Sequence, residues 1–172
     1  HVIDQAVQLF GMPEALFADI ATLRKDGKVD DYFIIHLLCP SKAPEVKITL
    51  KSSYLMCENE PRFVLHGREG SYVKYGLDPQ EAALTEGALP GTPHWGEEDK
   101  SSWGILHTEK GGRIVHEPYP SLPGDYAAFY ENIYRHICHG EPLQSDAREV
   151  VGVIRLIEAA WESSRMQRVV RI

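Results

Sequence analysis

An α+β domain, with an open and mainly antiparallel sheet and helices gathered on one face, is the fold class that this sequence predicts. Three observations carry it. Short apolar or alternating runs come in pairs around glycine-containing turns, as in β-hairpins. Long stretches of helical period stand apart from those runs, one at the start of the chain and two at its end. The run over 32–39 is apolar on both faces apart from His36, so each side of that strand needs a cover. Hairpin-linked strands with segregated helices read as α+β and not as alternating βαβ units.

The elements follow in order. Residues 1–10 form a helix with Ile3, Val7 and Phe10 on an apolar stripe and His1, Asp4 and Gln8 on the other face, ended by Gly11 and Pro13. Strands are expected over 15–24 and 32–39, with a turn at 25–28. A third, over 46–51, alternates Val46, Ile48 and Leu50 with Lys47, Thr49 and Lys51. A hairpin joins 62–66 to 71–75 around Gly67 and Gly70. Asp78, Pro79 and Glu81 then open a short helix as N-cap, first residue and third residue. Residues 86–102 have no sustained period and form the long loop, a length usually tied to function. A second hairpin joins 104–108 to 113–117. Of the two closing helices, 125–139 carries Phe129, Ile133 and Ile137 at helical spacing and stops at Gly140. The last helix, 146–166, opens on Asp146 and Glu149 and repeats Val150, Ile154, Ile157 and Trp161 on its expected core stripe. A final strand is expected over 168–172.

Composition bounds the function. A chain of 172 residues falls within the ~100–200 expected of one domain and can bury close to ~70% of its unfolded surface. With 25 acidic against 18 basic residues, the net charge is −7 and the cations are scattered, which argues against nucleic acid as partner. No apolar run approaches the ~18 residues of a membrane span, and no secretory leader is visible. Three widely spaced cysteines suit reduced thiols in a cytoplasmic protein. Because a helix is already under way at His1, the chain is expected to be a piece of a longer protein or a processed product.

The chemistry-bearing residues were weighed against plainer roles. Asp4 beside His1 could do proton chemistry, or could simply complement the start of a helix. His136 and His139 fit a helix C-terminus better than a metal site, and His36, His66, His107 and His116 lie singly on strands, so no metal is expected. There is no Gly-x-Ser-x-Gly, and no Gly-x-Gly, so neither a serine nucleophile elbow nor a dinucleotide fingerprint is present. Tyr72, Tyr75, His94, Trp95, Glu97 and Trp103 could contact a sugar or polyol by stacking and hydrogen bonding, or could pin the long loop to the sheet.

Three stretches carry a resemblance: His1-Val-Ile-Asp-Gln-Ala-Val-Gln-Leu-Phe-Gly11, Val73-Lys-Tyr-Gly-Leu-Asp-Pro-Gln-Glu81 and Gly124-Asp-Tyr-Ala-Ala-Phe-Tyr-Glu-Asn-Ile133. Together they resemble the C-terminal domain of the Gfo/Idh/MocA oxidoreductases, the glucose-fructose oxidoreductase and inositol dehydrogenase family. The middle stretch is most similar to a branch that includes NADP-dependent scyllo-inositol dehydrogenases.

The resemblance implies a glyceraldehyde-3-phosphate dehydrogenase-like C-terminal domain over 1–172, supplying substrate contacts and a homo-oligomer interface through its sheet face. NAD or NADP would be bound mainly by an N-terminal Rossmann domain outside this chain. It also implies hydride exchange between the nicotinamide and an alcohol or ketone of a sugar or inositol-like polyol. A lysine of the Rossmann half works there with an Asp-x-x-x-His/Tyr pattern. Laid on this chain, the pattern gives Asp4 as its acid and Gln8 in the His/Tyr place, with His1 as a substitute proton carrier. Asp4 and His1 are thus the expected catalytic residues, and Gln8, Tyr75 and Trp95 the expected substrate contacts. The chain alone would be inactive. A non-catalytic binding or oligomerisation module, which Gln8 favours, is the alternative, and a metal-dependent enzyme using the histidines is a distant third.

Overall fold

A computed structural model of the chain describes residues 1–39 and 46–172. These divide into two compact units, His1–Cys57 with Ser145–Ile172, and Glu58–Gln144. The class is α+β, with two four-stranded sheets in which every pairing is antiparallel.

The first unit has strands β1 (Ala15–Ala21), β2 (Tyr32–Leu38), β3 (Lys47–Ser53) and β8 (Val170–Arg171), in the order β3-β2-β1-β8. Alternation divides each strand. Leu16 and Ala18 of β1, Ile35 and Leu37 of β2 and Ile48 of β3 share the inner face, where α1 (Val2–Phe10) contributes Ala6 and α4 (Ala147–Met166) contributes Leu156 and Ala160. Full burial of a side chain such as Leu16, Leu37 or Leu156 stabilises the fold by roughly 1.5–3 kcal/mol each. On the outer face, Tyr32 and Ile34 of β2 are partly covered, while His36 is exposed and shares a hydrogen bond with Thr49 of β3, 3.0 Å. The second apolar face of β2 is thus real, and the helices of this unit cover the other one.

Two expectations are corrected. The core stripe of α4 is Val153, Leu156, Ala160 and Ser163, whereas Val150, Ile154, Ile157 and Trp161 are exposed. At ~100° per residue the two stripes lie about 110° apart. The helix turns its small residues, Ala160 and Ser163, to the sheet because they allow the closer approach. Strand β1 stops at Ala21 and not at Arg24, because the amides of Leu23 and Arg24 donate to the carboxylate of Asp31, at 2.7 and 3.1 Å, and not to a neighbouring strand.

Strand β8 reaches only Ala15 and Leu16 of β1. Further along that edge, Ala18 N–H donates to Ser163 Oγ, 3.0 Å, and Ile20 N–H to Ser164 Oγ, 2.9 Å. Two serine hydroxyls of α4 satisfy amides that have no strand partner there.

The second unit contains β4 (Phe63–His66), β5 (Gly70–Lys74), β6 (Gly104–Lys110) and β7 (Arg113–Tyr119), ordered as numbered. Gly111 and Gly112, with φ of 58° and 78°, make the tight β6–β7 turn that requires two left-handed residues. Helices α2 (Pro79–Thr85) and α3 (Tyr126–His139) begin on Asp78 and Asp125, whose carboxylates accept first-turn amides, and α3 ends on left-handed Gly140. No residue of α3 is buried, so Phe129, Tyr130 and Ile137 of its apolar stripe are exposed.

Candidate functional site

Helix α1 arranges its polar residues as the spacing predicts. Ile3, Val7 and Phe10 pack on the core around buried Ala6, so His1, Asp4 and Gln8 point the opposite way. His1 is the N-cap and leaves its side chain out of the capping role, while Asp4 stands in the first turn. His1 and Gln8 are exposed and Asp4 is half-buried. The face therefore offers an imidazole, a carboxylate and an amide within two helical turns, on a helix anchored from behind. An imidazole can take and give a proton near neutral pH, a carboxylate accepts hydroxyl hydrogen bonds, and an amide does both without changing charge.

Tyr75 and Trp95 belong to the second unit, where separate anchors hold them. Lys74, the last residue of β5, spends its three ammonium donors on Glu98 Oε1 at 2.6 Å, Ser102 O at 2.7 Å and Tyr75 O at 2.8 Å. Ser121 donates to the other oxygen of Glu98, 2.5 Å. Both members of the ion pair are largely enclosed, with side chains 12% and 9% exposed. This is the tie that fastens the long loop to the sheet. Tyr75 itself projects to solvent.

Trp95 is fixed by a residue that sequence reasoning missed. Gln80 is 1% exposed. Its Oε1 accepts from Trp95 Nε1, 2.8 Å, and from the backbone N–H of Tyr126, 2.8 Å, while its Nε2 donates to the Asp78 carboxylate, 3.1 Å. One amide thus joins the start of α2, the long loop and the start of α3. Glycines make the approach possible. A Cβ on Gly124 would stand 2.2 Å from Gln80 Nε2 and 2.4 Å from Asp78 Oδ2, and one on Gly96 would stand 2.0 Å from Gly124 O. Two of the stretches that carry the family resemblance, 73–81 and 124–133, therefore meet at Gln80. A glutamine in a first helical turn looks like a surface residue, so only its place between Asp78, Pro79 and the later Gly124-Asp125 could have marked it.

Burial, together with the carboxylates of Asp78 and Glu81, pushes the Tyr126 phenol above its usual range, so it stays a protonated donor. Burial and Glu14 likewise raise the Cys39 thiol, which keeps that buried cysteine unreactive. A shallow depression of about 420 Å³ at the β4–β5 turn, lined by residues such as Arg68, Tyr72 and Thr108, includes Tyr72 of the aromatic and acidic set but neither Tyr75 nor Trp95.

The fold is thus of the α+β class, with an imidazole, a carboxylate and an amide on the outward face of α1 and, in the second unit, a long loop anchored at Lys74 and Gln80. The family comparison agrees. The profile of the oxidoreductase family, C-terminal alpha/beta domain, matches residues 1–172, and the chain belongs to the Gfo/Idh/MocA oxidoreductase family. It is 36% identical over 172 residues to scyllo-inositol 2-dehydrogenase (NADP(+)) IolW of Bacillus subtilis, covering 100% of this chain and 47% of that protein. A provisionally assigned oxidoreductase structure from Bacteroides fragilis is 60% identical, with a TM-score of 0.93 over 100% of this chain and 51% of that one. The structure of YvaA from Bacillus subtilis is 37% identical, with a TM-score of 0.92 over 100% of this chain and 49% of that one. The chain spans about half the length of the relatives that it matches.

Proposed function

We propose that this chain is the substrate-side half of an NAD(P)-dependent oxidoreductase that exchanges hydride between the nicotinamide and a secondary alcohol or ketone of a sugar or inositol-like polyol. The observation that carries the reading is the outward face of α1, with His1, Asp4 and Gln8 at the start of a domain of this family. The similarity to an inositol dehydrogenase supports the polyol class of substrate.

The residues present do not fit the cofactor's pyrophosphate. Helices α2, α3 and α4 begin on Asp78, Asp125 and Asp146, whose carboxylates occupy the amides that a phosphate would need and repel its charge, and α1, whose N-cap His1 makes no side-chain bond, carries the carboxylate of Asp4 in its first turn. The dinucleotide is accordingly assigned to the part of the parent protein outside this chain, and the chain alone is expected to be inactive.

What this chain supplies is proton handling and substrate orientation. The Asp-x-x-x-His/Tyr pattern can be laid over the start of the chain in two registers, each of which matches one of its two positions within this chain. With Asp4 as its acid, an amide that carries no proton at neutral pH stands in the histidine place. With His1 in the histidine place, the pattern's acid falls four residues ahead of it. The second register keeps an imidazole where the substrate hydroxyl must lose its proton. In this reading His1 moves the proton, Asp4 accepts a neighbouring hydroxyl and Gln8 bridges a further one.

The test is kcat/KM of the parent protein with inositols and aldoses as substrates. His1→Ala is expected to lower it about 10²–10⁴-fold, mostly in kcat, as loss of an acid–base group does. Asp4→Asn is expected to act mainly on KM. A larger kcat loss in Asp4→Asn than in His1→Ala would transfer the proton role to Asp4. Full activity in both would remove the α1 face from the chemistry, and a parent protein inactive on all of these substrates would leave the non-catalytic module as the better reading.

Self-association through the outer face of the first sheet belongs to the same proposal. Tyr32 and Ile34 lie there beside Phe17 of β1, with Asp19 and Lys51 flanking Ile34. An apolar centre with opposite charges on either side suits a self-complementary contact. Light scattering of the parent protein is expected to give at least a dimer that Ile34→Glu dissociates, and a monomer at high concentration would refute this.

A further inference from the structure

Read singly, the strand histidines were assigned to the sheet surface. The register of the second sheet changes that for two of them. His107 of β6 and His116 of β7 are directly opposed, and both side chains leave the sheet on the same face. His107 Nδ1 and His116 Nε2 stand 3.0 Å apart, and the ring centroids 3.8 Å. We propose that this pair is a binding site for a divalent transition-metal cation of the zinc and copper class.

Three observations support it. The first is bite. Two imidazole nitrogens, each ~2.0–2.1 Å from one metal ion, lie about 2.9 Å apart at a right-angled coordination and about 3.3 Å apart at a tetrahedral one. The observed separation falls in that interval. The second is pre-organisation. The pairing of β6 with β7 runs unbroken from Gly104↔Tyr119 to Lys110↔Arg113 and closes on the Gly111-Gly112 turn, so the two Cα positions are fixed. Only the ring torsions need to change, and these are soft. In the metal-free pair one nitrogen donates its proton to the other. On binding, that ring shifts its proton to its second nitrogen, and both rings remain neutral while both lone pairs turn to the cation.

The third is electrostatic setting. The strand residues that the register sets beside the pair on this face include Ser71, Val73, Ile105, Glu109, Ile114 and Pro118, with no Lys or Arg among these six. Among these strand neighbours the one charged residue is the acidic Glu109, two residues from His107 on the same strand. His116 is exposed and His107 half-exposed, which leaves an open side for water to complete the coordination. His66 shares the row but lies two strands from His107, paired with Ser71 through a 2.8 Å hydrogen bond, and is too distant to be a third ligand.

The test uses the untagged parent protein, stripped with chelator and titrated with Cu²⁺ and, separately, Zn²⁺ in a calorimeter, with electron paramagnetic resonance of the copper form. One equivalent per chain is expected, with a copper signal showing two equatorial nitrogens. His107→Gln and His116→Gln should each weaken that equivalent at least tenfold, and His66→Gln should leave it unchanged. Thermal unfolding without metal checks that the variants are folded. The cation should raise the unfolding temperature of the wild type and of His66→Gln only. An equivalent that persists in both pair variants, or no saturable equivalent in the wild type, would overturn the proposal.

Discussion

Replacing Gln80 with leucine separates a structural hub from a surface glutamine. Leucine nearly fills the volume but neither accepts nor donates. Four hydrogen bonds are lost: those from the Trp95 indole and the Tyr126 amide to Oε1, and those from Nε2 to the two carboxylate oxygens of Asp78. Asp78 keeps the backbone N–H of Gln80 and regains water, so its loss is small. The two N–H groups are the costly part, because a stranded buried donor costs about 1–3 kcal/mol. Trp95 and Tyr126 are each partly exposed and some water can reach them, which favours the lower half of that range. The expected cost of Gln80→Leu is therefore about 2–4 kcal/mol in urea unfolding of the parent protein followed by circular dichroism. If Trp95 contacts substrate as expected, KM of the parent protein should rise while kcat changes less, since this bond holds the indole. A loss below about 0.5 kcal/mol, the level of an ordinary surface substitution, would show that the donors find other partners and would refute the hub.

Lys74→Met is expected to destabilise the protein by about 3 kcal/mol, because Glu98 would be left enclosed without its cation, and Lys74→Met with Glu98→Gln should recover part of that; urea midpoints of the single and double variants check this. Asp31 gives a pH test. Its carboxyl is held below the usual carboxylate range, first by the Leu23 amide and then by the Arg24 guanidinium. A carboxylate whose folded pKa is depressed adds stability above the unfolded value of ~3.9 and loses it as pH falls through the folded value. Asp31→Asn should therefore unfold at a lower temperature than the wild type at pH 7, and the gap should narrow below about pH 4. A gap that stays constant with pH would contradict this role for Asp31.

Much of the local structure was legible because it depends on spacing and caps. The amphipathic pattern of α1 placed Ile3, Val7 and Phe10 inward and His1, Asp4 and Gln8 outward, and the structure keeps that division. The caps at Asp78 and Asp146 and the stop at Gly140 are properties of single side chains and one glycine. What was not legible depends on distant partners. Helix α4 offers two apolar stripes, and only contact with β1 selects the one with Ala160 and Ser163. The division of the strands into two sheets has no local signal either. Gln80 is the sharpest case: polarity suggested exposure, while its burial rests on partners 15 and 46 residues away. In the candidate site, the α1 face could be read from one helix, whereas the anchoring of Trp95 could not.

The hydroxyls of Ser163 and Ser164 also decide what the first sheet can become. A strand whose neighbour covers only two residues is an open template, ready to recruit an extended segment from another molecule. Here the donors of Ala18 and Ile20 are already engaged by the end of a helix, which cannot be extended by adding further strands. Growth of the sheet is arrested at β1, so copies of the protein can meet across the faces of this sheet without fusing along that edge into a continuous ribbon.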